Sequence, residues 1–589
     1  MAVEQLITQH IDTWTSALQT RSTAGRGSNG KIDLYGIKKL RELILELAVR
    51  GKLVPQDPND EPASELLKRI AAEKAELVKQ GKIKKQKPLP EISEDEKPFE
   101  LPQGWAWVRL GNVGMCSTGK TPSTSVSSHF NGNIPFVGPG QITQCGEITQ
   151  GDKFLSEDGM LNSTEANNGD VFTVCIGGSI GKSAVVSERV AFNQQINSIR
   201  PVLVDSKYLY FSISTTLFIS SMITASTGSA TPIINRGKWE SLLIPCAPVT
   251  EQHSIVAKVN ELMALCDQLE QQSLIILEAH QQLVETLLAT LTVSQNAEEL
   301  AEHWARISQH FDTLFTTEAS IDALKQTILQ LAVMGKLVPQ DPSDEPASEL
   351  LKRIEQEKAQ LVKEGKIKKQ KPLPPVSDEE KPFVLPPGWE WCRIGDIIEN
   401  MDAGWSPACL PEPSPNENVW GILKTTAVQT LEYREQENKT LPNSKQPRAQ
   451  YEVKTGDILI TRAGPKNRVG ISCVVEKTRK RLMISDKIIR FHLISKDISA
   501  KYISLCLNCG VTAEYLESSK SGMAESQMNI SQDNLKFAPV ALPPTKTQLK
   551  VILTVEAFFS TCDSLKSRLQ SAQQTQLHLA DALTDAALS

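Results

Sequence analysis

Two nearly identical stretches decide how this chain is organised. "LAVRGKLVPQDPNDEPASELLKRI" occupies Leu47–Ile70, and "LAVMGKLVPQDPSDEPASELLKRI" occupies Leu331–Ile354. Both continue through a lysine-rich and a proline-rich segment to a Trp-x-Trp sequence, "GWAWVRLG" in the first copy and "GWEWCRIG" in the second. Repetition over such a long spacing indicates that one structural unit occurs twice in the chain.

Two stretches that resemble each other only in outline follow the copied blocks. Each contains a Gly-Asp pair before an apolar run (Asp170 and Asp457), and then "IGKSAVV" or "VGISCVV". Their short apolar runs, bounded by turn residues, predict strand-rich inserted domains. We therefore predict five segments: an N-terminal helical region and linker at 1–102, a first inserted domain at 103–248, a central region with a long helix at 249–386, a second inserted domain at 387–545 and a C-terminal helix at 546–589.

An apolar heptad pattern follows each inserted domain and predicts a long helix. The first pattern consists of Val259, Leu262, Cys266, Leu269, Ile276, Leu283 and Leu287, and the second of Val555, Phe558, Cys562, Leu565, Leu569, Ala572, Leu579 and Leu583. Two such helices in one chain most simply pair with each other. The predicted fold class is α+β: two globular strand-rich domains separated by two long antiparallel coiled-coil helices, with a pseudo-two-fold internal repeat.

Composition narrows the class of protein. The 589 residues are 40% hydrophobic, enough for several cores, and the net charge of −6 argues against a uniformly basic coat for nucleic acid. No apolar run approaches the length of a membrane span, and the N-terminus does not resemble a signal peptide. Eleven scattered cysteines suggest reduced thiols in a cytoplasm, and the histidines show no metal-ligand spacing. We expect a cytoplasmic protein with no membrane partner and no metal site.

The sequence "GMCSTGKTPS", Gly114–Ser123, matches the phosphate-loop pattern G-x-x-x-x-G-K-[ST]. A phosphate loop needs a helix that begins at the Lys-Thr pair, but Pro122 follows at once and no helical apolar period comes after it. The second copy has "GWSP" at Gly404–Pro407 and keeps only the Gly-x-Ser/Thr-Pro part. We therefore predict a turn here rather than a nucleotide site.

Charge and amide side chains point to nucleic acid. The stretch Lys454–Arg490 contains ten basic and three acidic residues, which predicts contact with DNA phosphates unless it is an ordinary solvated surface. The first inserted domain instead contains "AFNQQINSIRP", whose amides can pair with adenine or can cap a turn. The candidate DNA-binding residues from these two stretches are Asn193, Gln194, Gln195, Arg462, Lys466, Arg468 and Lys487.

Sequence signatures of catalysis are missing. We find no Asp/Asn-Pro-Pro-aromatic motif of an adenine methyltransferase, no glycine-rich loop suited to S-adenosylmethionine, no helicase motor set and no nuclease carboxylate cluster. The sequence thus predicts no catalytic, cofactor-binding or metal-binding residue in this chain. Two predicted binding domains in a chain without catalytic motifs imply that partner proteins supply the catalysis.

Two divergent domains alternating with near-identical helical blocks, together with "GKTP", "NQQIN" and the closing "LIP" and "LPP", resemble the specificity subunits of Type I restriction-modification enzymes. The "LVPQDPNDEPASELLKRI" blocks resemble those of the Type IB subgroup. The resemblance implies that each inserted domain is a target-recognition domain for one half of a bipartite, asymmetric double-stranded DNA sequence. It adds Lys120 and Thr121, in the predicted turn, to the candidate DNA contacts. The alternatives are a DNA-binding adaptor of another machine, a single-chain DNA-modifying enzyme and a purely structural coiled-coil protein.

The same resemblance implies the partners. Two modification subunits would carry S-adenosylmethionine and methylate adenine at N6, and two restriction subunits would use ATP and Mg²⁺ to cut DNA, so no cofactor is expected in this chain. The two inserted domains differ where the amides lie: "FNQQINSIRP" in the first stands against "ISDKIIRFHL" in the second. We therefore expect the two half-sites to have different sequences.

Overall fold

The computed structural model describes residues 3–21, 31–83, 86–228, 231–369 and 371–588. These residues form two compact units. Unit 1 contains the described residues up to Ile276 together with those from Ala572 onward, and unit 2 contains those from Leu277 to Ser571. Each unit therefore combines one copied block with one inserted domain, as the internal repeat predicts.

Unit 1 contains both helices and strands. Its helices are α1 (Val3–Gln9), α2 (Ile11–Ser16), α3 (Tyr35–Val49), α4 (Ala63–Lys79), α5 (Glu157–Leu161), α6 (Ser206–Ile213), α7 (Thr216–Ala225), α8 (Arg236–Glu240) and the first part of α9 (Val249–Val293). Its strands are β1 (Gln19–Arg21), β2 (Lys31–Asp33), β3 (Ala106–Arg109), β4 (Gly114–Thr118), β5 (Phe130–Val137), β6 (Phe154–Leu155), β7 (Glu165–Ala166), β8 (Val171–Val174), β9 (Ser183–Val185), β10 (Val190–Phe192), β11 (Ile196–Pro201) and β12 (Leu243–Cys246).

Unit 2 follows the same plan. Its helices are the rest of α9, α10 (Ala297–Gln309), α11 (Phe311–Leu314), α12 (Glu318–Val333), α13 (Ala347–Lys363), α14 (Ile394–Ile397), α15 (Ala500–Asn508), α16 (Gly510–Ser518), α17 (Gln532–Phe537) and the first part of α18 (Thr545–Leu588). Its strands are β13 (Glu390–Arg393), β14 (Ile398–Ala403), β15 (Gly421–Leu423), β16 (Val428–Gln429), β17 (Glu432–Tyr433), β18 (Asn438–Thr440), β19 (Ile458–Thr461), β20 (Ala463–Gly464), β21 (Ser472–Val474), β22 (Leu482–Met483), β23 (Ile488–Leu493), β24 (Met528–Asn529) and β25 (Pro539–Leu542).

Each inserted domain is built on a four-stranded antiparallel sheet of the same topology. The strand order is β4-β11-β8-β9 in unit 1 and β14-β23-β19-β21 in unit 2. The two ends of each domain are joined by an antiparallel pair, β3 with β12 and β13 with β25, and a long helix begins just after the second strand of the pair. The α+β class, the two strand-rich domains, the long helices and the internal repeat are confirmed.

The helical frame is also repeated in its ion pairs. In unit 1, Arg41 on α3 lies 2.8 Å from Asp267 and 2.7 Å from Glu270 on α9. In unit 2, Lys325 on α12 pairs with Asp563 on α18. Each copied block thus packs its helix against the first half of a long helix through a cation–carboxylate contact.

The ends of the long helices are capped by equivalent lysines. The Lys52 ammonium donates to the carbonyl oxygen of Leu588 at 2.9 Å in unit 1. The Lys336 ammonium donates to the carbonyl oxygens of Thr292 at 2.6 Å and Ser294 at 2.8 Å in unit 2. A cation at a helix C-terminus satisfies carbonyl groups that have no partner within the helix. The two copied blocks therefore hold the long helices by the same contacts.

The predicted heptad pattern is correct only in the first half of α9. Cys266 and Leu269 are buried, but Ile276 and Leu283 are 67% and 51% exposed, and burial resumes at Val284. In an undistorted helix, with 3.6 residues per turn, Val284 lies on the same face as Cys266. Positions chosen by a strict seven-residue repeat rotate gradually away from that face. In α18, Val555 and Cys562 are buried, but Phe558, Ala572 and Leu579 are exposed. The direct pairing of the two long helices stays a prediction.

The proline-rich segments are not free linkers, because each is hydrogen-bonded to an arginine of the inserted domain that follows it. The Arg109 guanidinium donates to the carbonyl oxygens of Pro90 at 2.7 Å and Glu91 at 2.9 Å, and pairs with Glu96. The Arg393 guanidinium does the same in unit 2, where it donates to the carbonyl oxygens of Pro374 and Pro375. We call residues 86–102 and 371–386 the proline straps.

Within the described ranges, no single helix is long and apolar enough to cross a membrane. One pair of helices, Ser206–Ile213 and Thr216–Ala225, reaches that length and apolar composition only when the two are taken together, and the pair is bent by 63°.

Candidate nucleic-acid interface

Two turns that are far apart in the sequence lie side by side in unit 1. One follows β4 and contains "GKTP", and the other precedes β11 and contains "NQQ". The Gly119 amide donates to the carbonyl oxygen of Ile196 at 3.1 Å, and the Lys120 amide donates to that of Phe192 at 2.9 Å. A Cβ on Gly119 would lie 2.0 Å from the carbonyl oxygen of Asn193, so only glycine fits here. We call this pair of turns the paired turns of unit 1.

The paired turns exclude the geometry of a phosphate loop. No helix begins at Lys120 or Thr121, and the next helical turn in the described chain is the short one at Ser127–His129. Residues 119–123 lie in neither a helix nor a strand. Without a helix N-terminus, the backbone amides here do not converge on a phosphate.

The polar side chains of the paired turns are partly used within the site. The Thr121 hydroxyl donates to Oε1 of Gln194 at 2.6 Å. The Gln195 amide donates to Oδ1 of Asn193 at 2.9 Å, so Asn193 caps its own turn. Lys120 and Gln194 are exposed, whereas Thr121, Asn193 and Gln195 are half-buried. The structure therefore places these five candidates on one surface. The Lys120 ammonium and the Gln194 amide are its exposed groups.

Unit 2 has the same pair of turns with different side chains. The Trp405 amide donates to the carbonyl oxygen of Ile484 at 3.2 Å, and a Cβ on Gly404 would lie 1.9 Å from that oxygen. The Ser406 hydroxyl donates to Asp486, whose amide donates back to the hydroxyl at 3.2 Å. The Thr121–Gln194 contact of unit 1 is thus replaced by a Ser406–Asp486 contact.

Ser406 and Asp486 are site residues that the sequence did not single out. A signal was available, because "GWSP" aligns with "GKTP" and "ISDK" occupies the place of "FNQQ". The contact between them depends on strand pairing: Ala403 at the end of β14 lies opposite Ile489 near the start of β23. The residues that follow one strand therefore meet the residues that precede the other.

Two of the basic candidates of unit 2, Arg462 and Lys487, lie beside these paired turns, and a third, Lys466, follows Arg462 in the chain. Lys487 directly follows Asp486 and is exposed, and the Arg462 amide donates to the carbonyl oxygen of Lys487 at 2.9 Å. Lys466 is exposed in the turn after β20, and its ammonium lies 3.6 Å from Oε1 of Glu525. Arg462, Lys466 and Lys487 form what we call the cationic edge.

Arg468 differs from the other basic candidates because its guanidinium is used inside the domain. It donates to Oε1 of Gln429 at 2.9 Å and to the carbonyl oxygens of Thr425 at 3.0 Å and Val428 at 2.9 Å. Burial lowers the pKa of this guanidinium from its ordinary value. Arg468 thus fixes the segment before β17, and its contact with DNA stays a prediction that its position does not favour.

The ten basic residues counted in Lys454–Arg490 overstate the positive charge of the surface. Arg490 is buried and pairs with Asp402 at 2.7 Å. Arg479 donates to the carbonyl oxygen of Asn416 at 3.0 Å, and Arg481 donates to that of Asn418. An arginine that is bonded to carbonyl groups of its own domain stabilises the fold and contributes less to a phosphate surface.

The Gly-Asp pair shared by the two inserted domains has a structural role. Asp170 accepts two hydrogen bonds from the Arg200 guanidinium, at 2.8 and 2.9 Å. Asp457 is fully buried and lies 2.6 Å from Nε2 of His492. In both domains the carboxylate connects the turn before β8 or β19 to the neighbouring strand, β11 or β23.

Neither a metal centre nor a thiol site is found in the described part of the chain. Among these residues, no group of three or more His, Cys, Asp or Glu could hold a metal ion. All eleven cysteines lie in the described ranges and are free thiols. Burial raises the pKa of Cys175 and of Cys506 to about 12, so these thiols stay protonated near neutral pH.

Comparison with known proteins identifies the family of this chain. Residues 102–279 match the model of the type I restriction modification DNA specificity domain. The chain is 68% identical to the type I restriction enzyme EcoEI specificity subunit of Escherichia coli and 48% identical to the EcoAI specificity subunit of the same species, and each match covers 100% of both chains. A solved structure described as "Structural basis underlying complex assembly and conformational transition of the type I R-M system" aligns with 83% of this chain and 99% of its own, at 18% identity and a TM-score of 0.48. The full-length identity to EcoEI shows that this chain belongs to the specificity subunits of type I restriction enzymes.

Proposed function

We propose that the chain recognises a bipartite, asymmetric sequence in double-stranded DNA, one half through each inserted domain. A specificity subunit is non-catalytic and sets the DNA sequence on which its complex acts. The observation that carries the proposal is the repetition of the paired turns. The backbone hydrogen bond from Lys120 to Phe192 recurs from Trp405 to Ile484, but Thr121 and Gln194 are replaced by Ser406 and Asp486. Two domains with the same backbone arrangement but different side chains suit a target with two different halves.

The side chains differ in the base edges that they can recognise. The exposed amide of Gln194 in unit 1 suits the N6 and N7 atoms of adenine, and the Lys120 ammonium suits a phosphate or a guanine. In unit 2, the Asp486 carboxylate suits the N4 amino group of cytosine, which is a donor, and it would be repelled by phosphate. Lys487 and the other residues of the cationic edge suit phosphates.

Assembly with catalytic subunits completes the proposal. The chain acts in a type I restriction-modification complex, and we propose two modification subunits and two restriction subunits as its partners. S-adenosylmethionine, ATP and Mg²⁺ would be bound by those subunits, in keeping with the lack of a catalytic motif in this sequence. The cytoplasm is the proposed location, because eleven free thiols suit a reducing compartment.

Mapping methylated adenines in cells that contain the complete system tests this proposal. We expect one asymmetric target made of two specified halves and an unspecified gap. The purified chain alone should neither transfer methyl groups nor hydrolyse ATP, because the chemistry belongs to its partners. A continuous palindromic target, or catalysis by the isolated chain, would contradict the proposal.

Neutralising two lysines of the cationic edge tests the phosphate contacts. In the assembled complex, Lys466→Gln with Lys487→Gln is expected to weaken binding to all DNA sequences. The slope of log affinity against log salt should become shallower by about 0.9 for each phosphate that the variant no longer neutralises. Arg468 is left unchanged because its guanidinium fixes the fold.

The matched control removes two positive charges elsewhere in unit 2. Lys352 and Lys381 form ion pairs with Glu349 and Asp378, away from the paired turns in the sequence. Lys352→Gln with Lys381→Gln should leave the salt slope unchanged. If the control and the Lys466/Lys487 variant have equal slopes, the cationic edge does not contact phosphate.

A further inference from the structure

Met523 is the most exposed large hydrophobic side chain that the structure describes, at 103% of its reference area. It lies at the tip of a loop, residues 521–529, whose ends are held together by backbone hydrogen bonds. The Ser521 amide donates to the carbonyl oxygen of Asn529 at 3.0 Å, and the Asn529 amide donates back at 2.8 Å. The Gln527 amide closes the tip on the carbonyl oxygen of Ala524 at 2.9 Å. Met523 therefore lies in a loop whose ends are fixed by backbone hydrogen bonds.

This loop is attached to the cationic edge. The Lys466 amide donates to the carbonyl oxygen of Glu525 at 2.7 Å, and the Lys520 ammonium donates to that of Lys466 at 2.8 Å. At the base of the loop, the Ile530 amide donates to the carbonyl oxygen of Arg462 at 2.9 Å. The loop that contains Met523 is thus hydrogen-bonded to the backbone of Arg462 and Lys466.

The neighbours of Met523 favour DNA over a protein partner. A protein interface usually has an apolar centre made of several side chains, but the other large apolar residue of this loop, Met528, is half-buried and packs against the hydrophobic core of unit 2. An exposed lysine, Lys466, beside a single exposed apolar side chain suits a DNA groove, where a cation contacts phosphate and an apolar side chain contacts the methyl group of thymine. An unbranched, flexible methionine adapts readily to such a contact.

Glu525 is an acidic residue of this loop. Its carboxylate is exposed and lies 3.6 Å from the Lys466 ammonium. An exposed ion pair of this kind is worth little and exchanges partners easily. Lys466 can therefore turn to a phosphate while Glu525 stays in solvent.

We propose that Met523 contacts DNA and contributes to the specificity of the second half-site through an apolar contact with a thymine methyl group. The inference rests on the proposed function and extends it from the paired turns to the loop at residues 521–529. It assigns sequence discrimination to a residue outside the candidate amides and cations.

The test measures binding of the complete complex to its mapped target, with each thymine of the second half-site replaced in turn by uracil, which lacks the methyl group. Wild-type affinity should fall by about fourfold at one position, the effect of one buried methyl group. Met523→Ala should bind the thymine target about as weakly as the wild type binds that uracil target, and should not distinguish the two. Met523→Leu should restore part of the discrimination.

Val384→Ala is the matched control, because Val384 is 94% exposed in the proline strap of the same unit. It should bind every target as the wild type does. The inference is overturned if Met523→Ala keeps the wild-type uracil effect, if the second half-site contains no A·T pair, or if the variant loses partner subunits while DNA binding is unchanged. A wild-type complex without sequence-specific binding would instead overturn the proposed function itself.

Discussion

Replacing Arg393 by alanine is expected to destabilise unit 2 by about 2–3 kcal/mol, the cost of removing a buried charged donor from the acceptors that it bonds. The Arg393 side chain is 5% exposed and lies 2.8 Å from Glu380. It also donates to the carbonyl oxygens of Pro374 at 2.6 Å, Pro375 at 3.0 Å and Phe537. The substitution would leave these acceptors without a donor and would release the proline strap.

The pH dependence of the effect follows from Glu380. Its hydrogen bond with the Arg393 guanidinium is the main cause that lowers the pKa of Glu380 from 4.5 to about 2. A lowered pKa in the folded state contributes stability above the unfolded-state pKa, and this contribution disappears as the pH falls toward the folded value. The difference in stability between wild type and Arg393→Ala should therefore be full at pH 6 and should shrink between pH 4.5 and pH 2.

Hydrogen exchange in the full-length chain measures this prediction. Amides of the proline strap at 371–386 and of β25 should exchange faster in Arg393→Ala, while the equivalent strap of unit 1, held by Arg109, provides an internal control. Arg434→Ala is the matched variant, because Arg434 forms an exposed pair with Glu432 whose loss should cost little. Equal exchange in the Arg393→Ala and Arg434→Ala variants would show that the strap is not held by Arg393.

The domain plan could be predicted because it depends on local sequence. The copied blocks, their amphipathic helices and the short apolar runs of the inserted domains all determine structure within a few turns or strands. Leu66 and Ile70 are buried on α4, as are their counterparts Leu350 and Ile354 on α13. The repeat in the sequence therefore becomes a repeat in the structure.

The direction of each basic side chain could not be predicted, because it depends on partners that are distant in the chain. Arg490 and Lys487 are close in the same basic stretch, yet Arg490 is buried against Asp402 and Lys487 is exposed. Charge counted along the sequence treats both alike. The first proline strap was likewise predicted as a linker, because its contacts depend on the side chain of Arg109.

The meeting of the paired turns required the register of the sheet. In unit 1, Thr118 at the end of β4 lies opposite Asn197 near the start of β11. Antiparallel pairing at that register places the residues after Thr118 beside those before Asn197. Both stretches were identified in the sequence as separate candidates, but neither contained a signal that joined them.

If the two inserted domains recognise DNA independently, exchanging one of them should change one half of the DNA target. The ends of the first inserted domain are joined by β3 and β12, and those of the second by β13 and β25. Each domain can therefore be replaced without moving the helix that follows it. We expect replacement of residues 103–248 by the corresponding residues of the EcoEI specificity subunit to change one half of the DNA target completely.

The reciprocal replacement of residues 387–544 is the control, and it leaves α18 to begin at its native Thr545. It should change the other half of the target and leave intact the half that the first exchange alters. Both chimeras keep the copied blocks, so both should assemble with the same modification subunits.

The decisive measurement is the map of methylated adenines in cells that contain the complete system with the wild-type chain or either chimera. We expect each exchange to give a new sequence in one half-site, a different half for each chimera, while the other half-site is unchanged. A chimera that assembles and methylates DNA but changes both half-sites together, or neither, would show that the two domains do not recognise DNA independently.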